Sequence, residues 1–248
     1  MKIRHIALAL IALLLLSTSC APKAAKKVVF GSDASFPPME FVDAQKNVTG
    51  FDVEMIQAVA KAAGFEAEVK NVAWDGIFAG LAAGEYDAIL SSVTITDERK
   101  GTMDFSEPYV NAGQVIIVPK ATEGVSKPED LAGKVVGVQI STTGDIAVTK
   151  IAGIKDKKTY DEIGLAVEDL SIGRLDAVVV DSPIAANYVL QNDKYKAVLK
   201  IAGAPFTDEY YGVAVKKGNK RVLDLVNKGL AAIQKDGSLD KLKAKWLQ

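Results

Sequence analysis

Several short apolar runs in this chain of 248 residues end in clusters of polar side chains, and those clusters hold its candidate chemistry. Val28-Val29-Phe30 leads to Ser32-Asp33-Ala34-Ser35-Phe36-Pro37-Pro38, and Asp87-Ala88-Ile89-Leu90 leads to Ser91-Ser92-Val93-Thr94-Ile95-Thr96-Asp97-Glu98-Arg99. Lys134 to Gln139 leads to Ser141-Thr142-Thr143-Gly144-Asp145, and Asp176 to Val180 leads to Asp181. Ligands of open α/β sheets sit beyond the carboxyl ends of the strands, which is where these clusters fall.

Each cluster admits a structural and a functional reading. Thr96 reads as an N-cap with Asp97 and Glu98 in the first helical turn, where the helix dipole favours acids, yet Arg99 places a cation near the same positive end. Arg99 either pairs locally with Asp97, Glu98 or Asp104, or clamps a ligand carboxylate with its planar guanidinium. Ser141-Thr142-Thr143-Gly144 is either an ordinary helix cap or a turn whose free N–H groups cradle the same anion. It lacks the Gly-x4-Gly-Lys-Ser/Thr pattern of a phosphate loop. Asp181 either N-caps a helix from Ser182 or stands partly buried, where a carboxylate needs a cation. Phe36 and Trp74 are core residues, or the walls of an apolar slot for an aliphatic or guanidinium chain. Asp33, Glu40 and Gln139 are candidate polar readers of a ligand's far end. Together, Arg99 with the Thr142 and Thr143 N–H groups suits a carboxylate, and Asp181 with Thr94 suits an ammonium. Free α-amino acids carry both charges.

Composition removes other chemistries. The single His5 and single Cys20 both lie within the first twenty positions. With that segment removed, no histidine general base, no His-assisted nucleophile, no disulfide and no Cys/His zinc cage remains. Without Lys2 and Arg4, 28 of the 30 basic residues face 31 acids, a net charge of about −3. That balance gives no electrostatic footprint for nucleic acid. No cofactor and no metal is expected.

The elements that must hold these residues alternate short β-rich runs with helical patterns, which argues for parallel sheets with helices on their faces. Strands are expected at Val28–Phe30, Phe65–Val69, Asp87–Leu90, Lys134–Gln139, Asp176–Val180 and Tyr210–Val215. Helices are expected at Asp52–Ala63, closed by Gly64, Trp74–Ala83, closed by Gly84, Asp161–Ile172, Ser182–Leu190, Asn219–Gln234 and Leu239–Trp246. Leu81-Ala-Ala-Gly84-Glu-Tyr-Asp87-Ala-Ile89 is echoed by Leu170-Ser-Ile-Gly173-Arg-Leu-Asp176-Ala-Val178. This echo suggests two similar α/β lobes, and a late strand returning to the first would require crossovers near Tyr109–Gln114 and Pro205–Tyr210, a hinge.

At the start, Lys2 and Arg4 precede the apolar run Ile6–Leu16 and then Ser17-Thr18-Ser19-Cys20. A helix over that run would be roughly 16 Å long, too short for a hydrocarbon core of about 30 Å, so residues 1–19 read as a signal peptide. The residues before Cys20 resemble a bacterial lipoprotein cleavage box, with Ser17 where an aliphatic residue is usual. Cys20 would be the lipidated N-terminus and 20–27 a tether; a plain secretory signal with Cys20 as a free thiol is the other reading. No other segment could span a bilayer.

Seven motifs carry a resemblance over Val28–Gln248: Ser32-Asp-Ala-Ser-Phe-Pro-Pro-Met-Glu-Phe41, Gly50-Phe-Asp-Val-Glu54, Trp74-Asp-Gly-Ile77, Thr94-Ile-Thr-Asp-Glu-Arg99, Asp104-Phe-Ser-Glu-Pro-Tyr109, Val138-Gln-Ile-Ser-Thr-Thr-Gly144 and Asp176-Ala-Val-Val-Val-Asp181. In combination they resemble the extracytoplasmic amino-acid-binding proteins of ABC importers, solute-binding protein family 3, in its polar and basic amino-acid branch. The resemblance implies an α/β fold of two Rossmann-like lobes joined by a two-strand hinge, the type II periplasmic binding protein fold. The first lobe would take 28–111 and 209–248, and the second 114–204. It further implies that the ligand carboxylate meets Arg99 and the N–H groups of Thr142 and Thr143, and that the ammonium meets Asp181, the Thr94 hydroxyl and the Ser92 carbonyl. The side chain would lie between Phe36 and Trp74, its terminus reaching Asp33 and Gln139. Ser91-Ser92 stands where relatives often have Ala-Gly, so a hydroxyl is expected at the pocket floor. The expected ligand is arginine, then lysine or ornithine, then glutamine. The expected partner is an ABC permease, and the expected place is the periplasm or the outer face of the cytoplasmic membrane. A monomer with no catalytic role is expected. Dehydratases acting on prephenate-like acids resemble the same scaffold, and such an enzyme would need Asp33 or Glu40 as its general acid.

Overall fold

The computed structural model describes residues 26–247. The expected signal peptide, Cys20 and the tether up to residue 25 lie outside the described residues. The chain opens with β1 (Lys26–Ser32), a small meander of β2 (Ser35–Phe36), β3 (Glu40–Val42) and β4 (Val48–Thr49), then α1 (Phe51–Ala63), β5 (Phe65–Asn71), α2 (Ile77–Ala83), β6 (Ala88–Ile89), α3 (Asp97–Thr102), β7 (Met103–Phe105) and β8 (Val110–Asn111). It continues with β9 (Gln114–Pro119), β10 (Val135–Gln139), α4 (Thr143–Thr149), β11 (Asp156–Tyr160), α5 (Ile163–Ser171), β12 (Ala177–Asp181), α6 (Ser182–Ala186), α7 (Asp193–Lys196) and β13 (Leu199–Ala202). Finally come β14 (Tyr210–Tyr211), β15 (Ala214–Lys216), α8 (Lys220–Lys235) and α9 (Ser238–Trp246).

Two five-stranded sheets result, in the orders β5-β1-β6-β15-β7 and β11-β10-β12-β9-β13. Each has a parallel trio (β5-β1-β6 and β11-β10-β12) continued by an antiparallel strand, β15 or β9. The echo in the sequence has a structural cause. Gly84 and Gly173 end their helices at φ 82° and 79°, a conformation that costs glycine least. The aspartates three residues later then accept from the middle strand of each parallel trio, Asp87 from the Val29 N–H at 2.9 Å and Asp176 from the Val135 N–H at 2.7 Å. Helix α1 buries Met55, Ile56, Val59, Ala60 and Ala63, while Val53, on the apolar side by spacing, is only half-buried. It packs against α8, where a Cβ on Gly229 would lie 2.4 Å from the Val59 carbonyl oxygen.

The structure corrects several element expectations. β1 starts at Lys26, which removes Lys26 and Lys27 from the tether and pairs them with Phe65 and Glu66 of β5. The helix expected from Trp74 starts at Ile77, because Gly76 at φ 94° turns the chain there and leaves Trp74 in a loop. The helix expected over Ser182–Leu190 ends at Ala186 and continues as a π turn over Asn187–Gln191. The strand expected over Tyr210–Val215 is two strands serving different sheets. β14 pairs antiparallel with β8, whereas β15 joins the first sheet between β6 and β7. The β8–β14 ribbon lies in the expected crossovers, and Gln114 N donates to Thr207 Oγ1 at 2.7 Å beside it. At Gly113 the two crossovers nearly touch: a Cβ there would lie 2.1 Å from the Thr207 carbonyl oxygen.

Candidate ligand-binding site

The carboxyl ends of β1, β6, β10 and β12 converge on a narrow cavity. Its wall brings together Asp33, Phe36, Trp74, Ser91, Ser92, Thr94, Arg99, Gln139, Thr142, Thr143 and Asp181, with Glu40 beside them. The two lobes meet around it. Trp74 Nε1 donates to the Ile140 carbonyl at 3.0 Å, Gln139 Nε2 to Asp33 Oδ2 at 3.2 Å and Arg99 Nη2 to the Ser141 carbonyl at 3.4 Å. Ser92 and Ser141, one on each side, have φ of 49° and 59°, a strained conformation for non-glycine residues that clusters at ligand clamps. Ser92 is held there by Asp52 of α1, whose Oδ2 accepts the Ser92 N–H at 3.1 Å and the Tyr109 hydroxyl at 2.8 Å.

Arg99 follows from its helix start. Thr96 caps α3, its hydroxyl accepting the Arg99 N–H at 3.1 Å. The guanidinium turns back over the cavity, where Nη1 donates to the Thr94 carbonyl at 3.0 Å. Its carbon lies 5.8 Å from the Trp74 ring centroid and 5.1 Å from that of Phe78, distances that favour cation–π attraction. The local acids do not neutralise it. Asp97 pairs with Lys100 at 3.3 Å and Asp104 with Lys217 at 2.8 Å, and among the described residues Arg99 has no carboxylate within 4.0 Å. Burial lowers its pKa, against the opposing pull of Asp181 and Glu209. Across the cavity Thr142 does serve as an ordinary cap, accepting the Asp145 N–H at 3.2 Å and donating to the Gln139 carbonyl at 2.8 Å. The N–H groups that open α4 have no acceptor within the helix.

Asp181 sits at the N-cap of α6 without capping it through its side chain. It is buried, and its Oδ1 has no hydrogen-bond partner. The Tyr211 hydroxyl and the Gln114 amide are its polar neighbours and hold its carboxyl down in part. Burial, reinforced by the charge of Glu209, pushes the Asp181 carboxyl up to about 7. An unpaired acid and an unpaired guanidinium therefore face one cavity.

The far end is acidic. Asp33 accepts from Ser35 Oγ at 2.9 Å and Gln139 Nε2 at 3.2 Å, and burial raises its pKa. Glu40 is fully buried; its two carboxyl oxygens accept from Ser91 Oγ and Ser92 Oγ, each at 3.2 Å. Desolvation, with Asp52 and Asp33 nearby, raises its pKa well above the usual range. The expected hydroxyl at the pocket floor is thus committed to Glu40, with Ser91 Oγ also accepting the Asp33 N–H at 2.9 Å. Phe36 and Trp74 are buried and line the cavity. The sequence reading missed Asp52, Tyr109, Gln114 and Glu209. Gln114 had a signal, being a polar residue at the head of the apolar run Val115–Val118; Glu209 had none, in a loop that reads as solvated surface.

The model of the bacterial extracellular solute-binding proteins, family 3, matches residues 28–248. A probable histidine-binding protein of Neisseria gonorrhoeae is 41% identical over 218 residues, 87% of this chain and 81% of that protein. The L-cystine-binding protein TcyJ of Escherichia coli strain K12 is 38% identical over 220 residues, 88% of this chain and 82% of that protein. Among solved structures, an ancestral arginine-binding protein bound to glutamine superposes with a TM-score of 0.84 at 41% identity, covering 90% of this chain and 99% of that one.

Proposed function

This chain belongs to the bacterial extracellular solute-binding proteins of family 3, the amino-acid-binding proteins of ABC transporters, and on that premise we propose that its ligand is a basic amino acid, arginine before lysine or ornithine. The observation that carries this reading is the pair of opposite charges left unpaired in one cavity. Arg99 and the Thr142 and Thr143 N–H groups take the α-carboxylate. Asp181, the Thr94 hydroxyl and the Ser92 carbonyl take the α-ammonium. The side chain runs along Phe36 and Trp74 to Asp33, Glu40 and Gln139, where a guanidinium or ammonium meets the acidic end.

Arg99 belongs to the first lobe and the threonines to the second, so the carboxylate contacts are complete only when the cleft is shut, and the ligand selects the closed state. We divide the lobes at 28–111 with 209–248, and 114–204. The closed form then docks on an ABC permease as a monomer outside the cytoplasmic membrane, tethered through a lipidated Cys20 once residues 1–19 are cleaved. Cys20→Ser should move the protein from the membrane to the soluble fraction; an unchanged distribution refutes the anchor. Among the described residues no helix is long and apolar enough to cross a membrane.

A thermal-shift screen over the twenty amino acids, ornithine and cystine tests the assignment, because only a true ligand stabilises by mass action. Arginine should give the largest shift, with a dissociation constant of order 0.1–10 μM, roughly 7–10 kcal/mol. A larger shift with glutamine, histidine or cystine replaces the assignment within the same class, and no shift with any of them removes it. The raised carboxyls of Asp33 and Glu40 give a second reading specific support, a dehydratase with one of them as general acid. We favour binding without catalysis, because Glu40 is already held at both oxygens by serine hydroxyls. Turnover of prephenate or arogenate by the purified chain would reverse that choice.

A further inference from the structure

Glu209 closes a polar network that joins both lobes to the hinge. Thr94 Oγ1 lies 3.1 Å from Glu209 Oε2 and 3.3 Å from Thr143 Oγ1. Gln114 Nε2 donates to Thr143 Oγ1 at 3.2 Å and to Glu209 Oε2 at 3.4 Å. The four side chains come from the loop before α3, the start of α4, the head of β9 and the segment entering β14. Nε2 of Gln114 is placed toward Thr143 and Glu209, and the same amide also lies beside the Asp181 carboxyl.

Proton directions follow. A hydroxyl has one proton, and an ionised carboxylate accepts without donating. Thr94 therefore directs its proton to Glu209 and presents only lone pairs elsewhere. Thr143 accepts from Gln114 and donates its own proton to Thr94, a bond it exchanges for one to a ligand carboxylate. We propose that Glu209 is a positioning residue that fixes the polarity of the ligand cleft, making Thr94 an acceptor for the ligand ammonium and, with Gln114, leaving Thr143 a donor for the ligand carboxylate. This rests on the reading of the cleft as a zwitterion site. It gives a function to a half-buried carboxylate that touches neither Arg99 nor Asp181 by a hydrogen bond.

The test is a double-mutant cycle read by calorimetry at pH 7.5, using arginine, histidine, glutamine and cystine as probes, with thermal melts confirming that each variant folds. For whichever probe binds the unmodified protein, Glu209→Ala should weaken binding about tenfold, and in a Thr94→Val background by about threefold or less, because only the route through Gln114 to Thr143 is left. Glu209→Gln, which keeps an acceptor facing Thr94, should stay within about threefold of the unmodified protein. An equal loss from Glu209→Ala in both backgrounds, or a loss from Glu209→Gln as large as from Glu209→Ala, makes Glu209 a through-space charge or a packing residue and overturns the proposal while leaving the site reading intact. Failure of all four probes to bind the unmodified protein overturns the site reading and this inference with it.

Discussion

Arg99 and Asp181 answer to different constraints, and each leaves a charge facing the cavity. Arg99 is aimed inward by a Thr96 cap and by the Trp74 and Phe78 rings, and Asp181 is held at a helix start that it does not cap. Arg99→Ala should weaken amino-acid binding by at least about 2 kcal/mol, as when one partner of a desolvated charge pair is removed. Unchanged affinity by calorimetry would refute the clamp. Asp181 also sets a pH dependence. Its carboxyl is raised to about 7 and must be ionised to hold an ammonium, so affinity should climb as pH rises from 5 to 7, by up to about tenfold per unit, and level off above. Asp181→Asn should weaken binding and flatten that profile. The ligand-free protein should follow the opposite trend. Asp52 and Asp181 are both raised to about 7 from 3.8, so between those values the folded chain binds more protons than the unfolded one and loses stability as pH rises. Denaturant melts from pH 4.5 to 7.5 should show this fall, and a rise would contradict the burial of these carboxyls. Arg99 and Asp181 were legible in the sequence because each broke a local expectation. Glu209 was not, because its partners Thr94 and Gln114 are 115 and 95 residues away in the chain.

At the scale of elements, strand ends do the positioning, and they were readable wherever a local rule set them. Gly64 and Gly84 end their helices as read, and the repeated Gly-x-x-Asp unit marks a real tie between neighbouring strands. Misreadings came where tertiary pairing decided. Apolar periodicity carried the second helix back to Trp74, but Gly76 frees that indole to reach the Ile140 carbonyl across the cleft. Tyr210–Val215 reads as one strand because alternation cannot reveal that Gly212 and Val213 pass between two sheets. The hinge offers the sharpest element-level test. Gly113→Ala would set a methyl 2.1 Å from the Thr207 carbonyl, so the crossovers must part. The expected cost is about 1–3 kcal/mol in a denaturant melt, together with weaker amino-acid binding. Full retention of both would mean that the crossovers are not locked together.

For the whole molecule, two similar sheets, a paired ribbon between them and a cavity walled by both are the parts from which we propose that ligand capture and domain closure are one event. Contacts across the cleft link Trp74 to Ile140, Asp33 to Gln139 and Thr94 to Thr143, the arrangement expected of the proposed closed state. A ligand carrying only one of the two charges leaves either Arg99 or Asp181 buried without its counterpart, and that residual charge is what discriminates. The most direct measurement is calorimetry of the best-stabilising amino acid against two analogues, one without the carboxylate and one without the ammonium; for arginine these are agmatine and 5-guanidinopentanoate. The account predicts that each analogue binds at least about 30-fold more weakly than the parent, in line with about 2 kcal/mol for an unpaired buried charge. Either analogue binding within about threefold of the parent would contradict it.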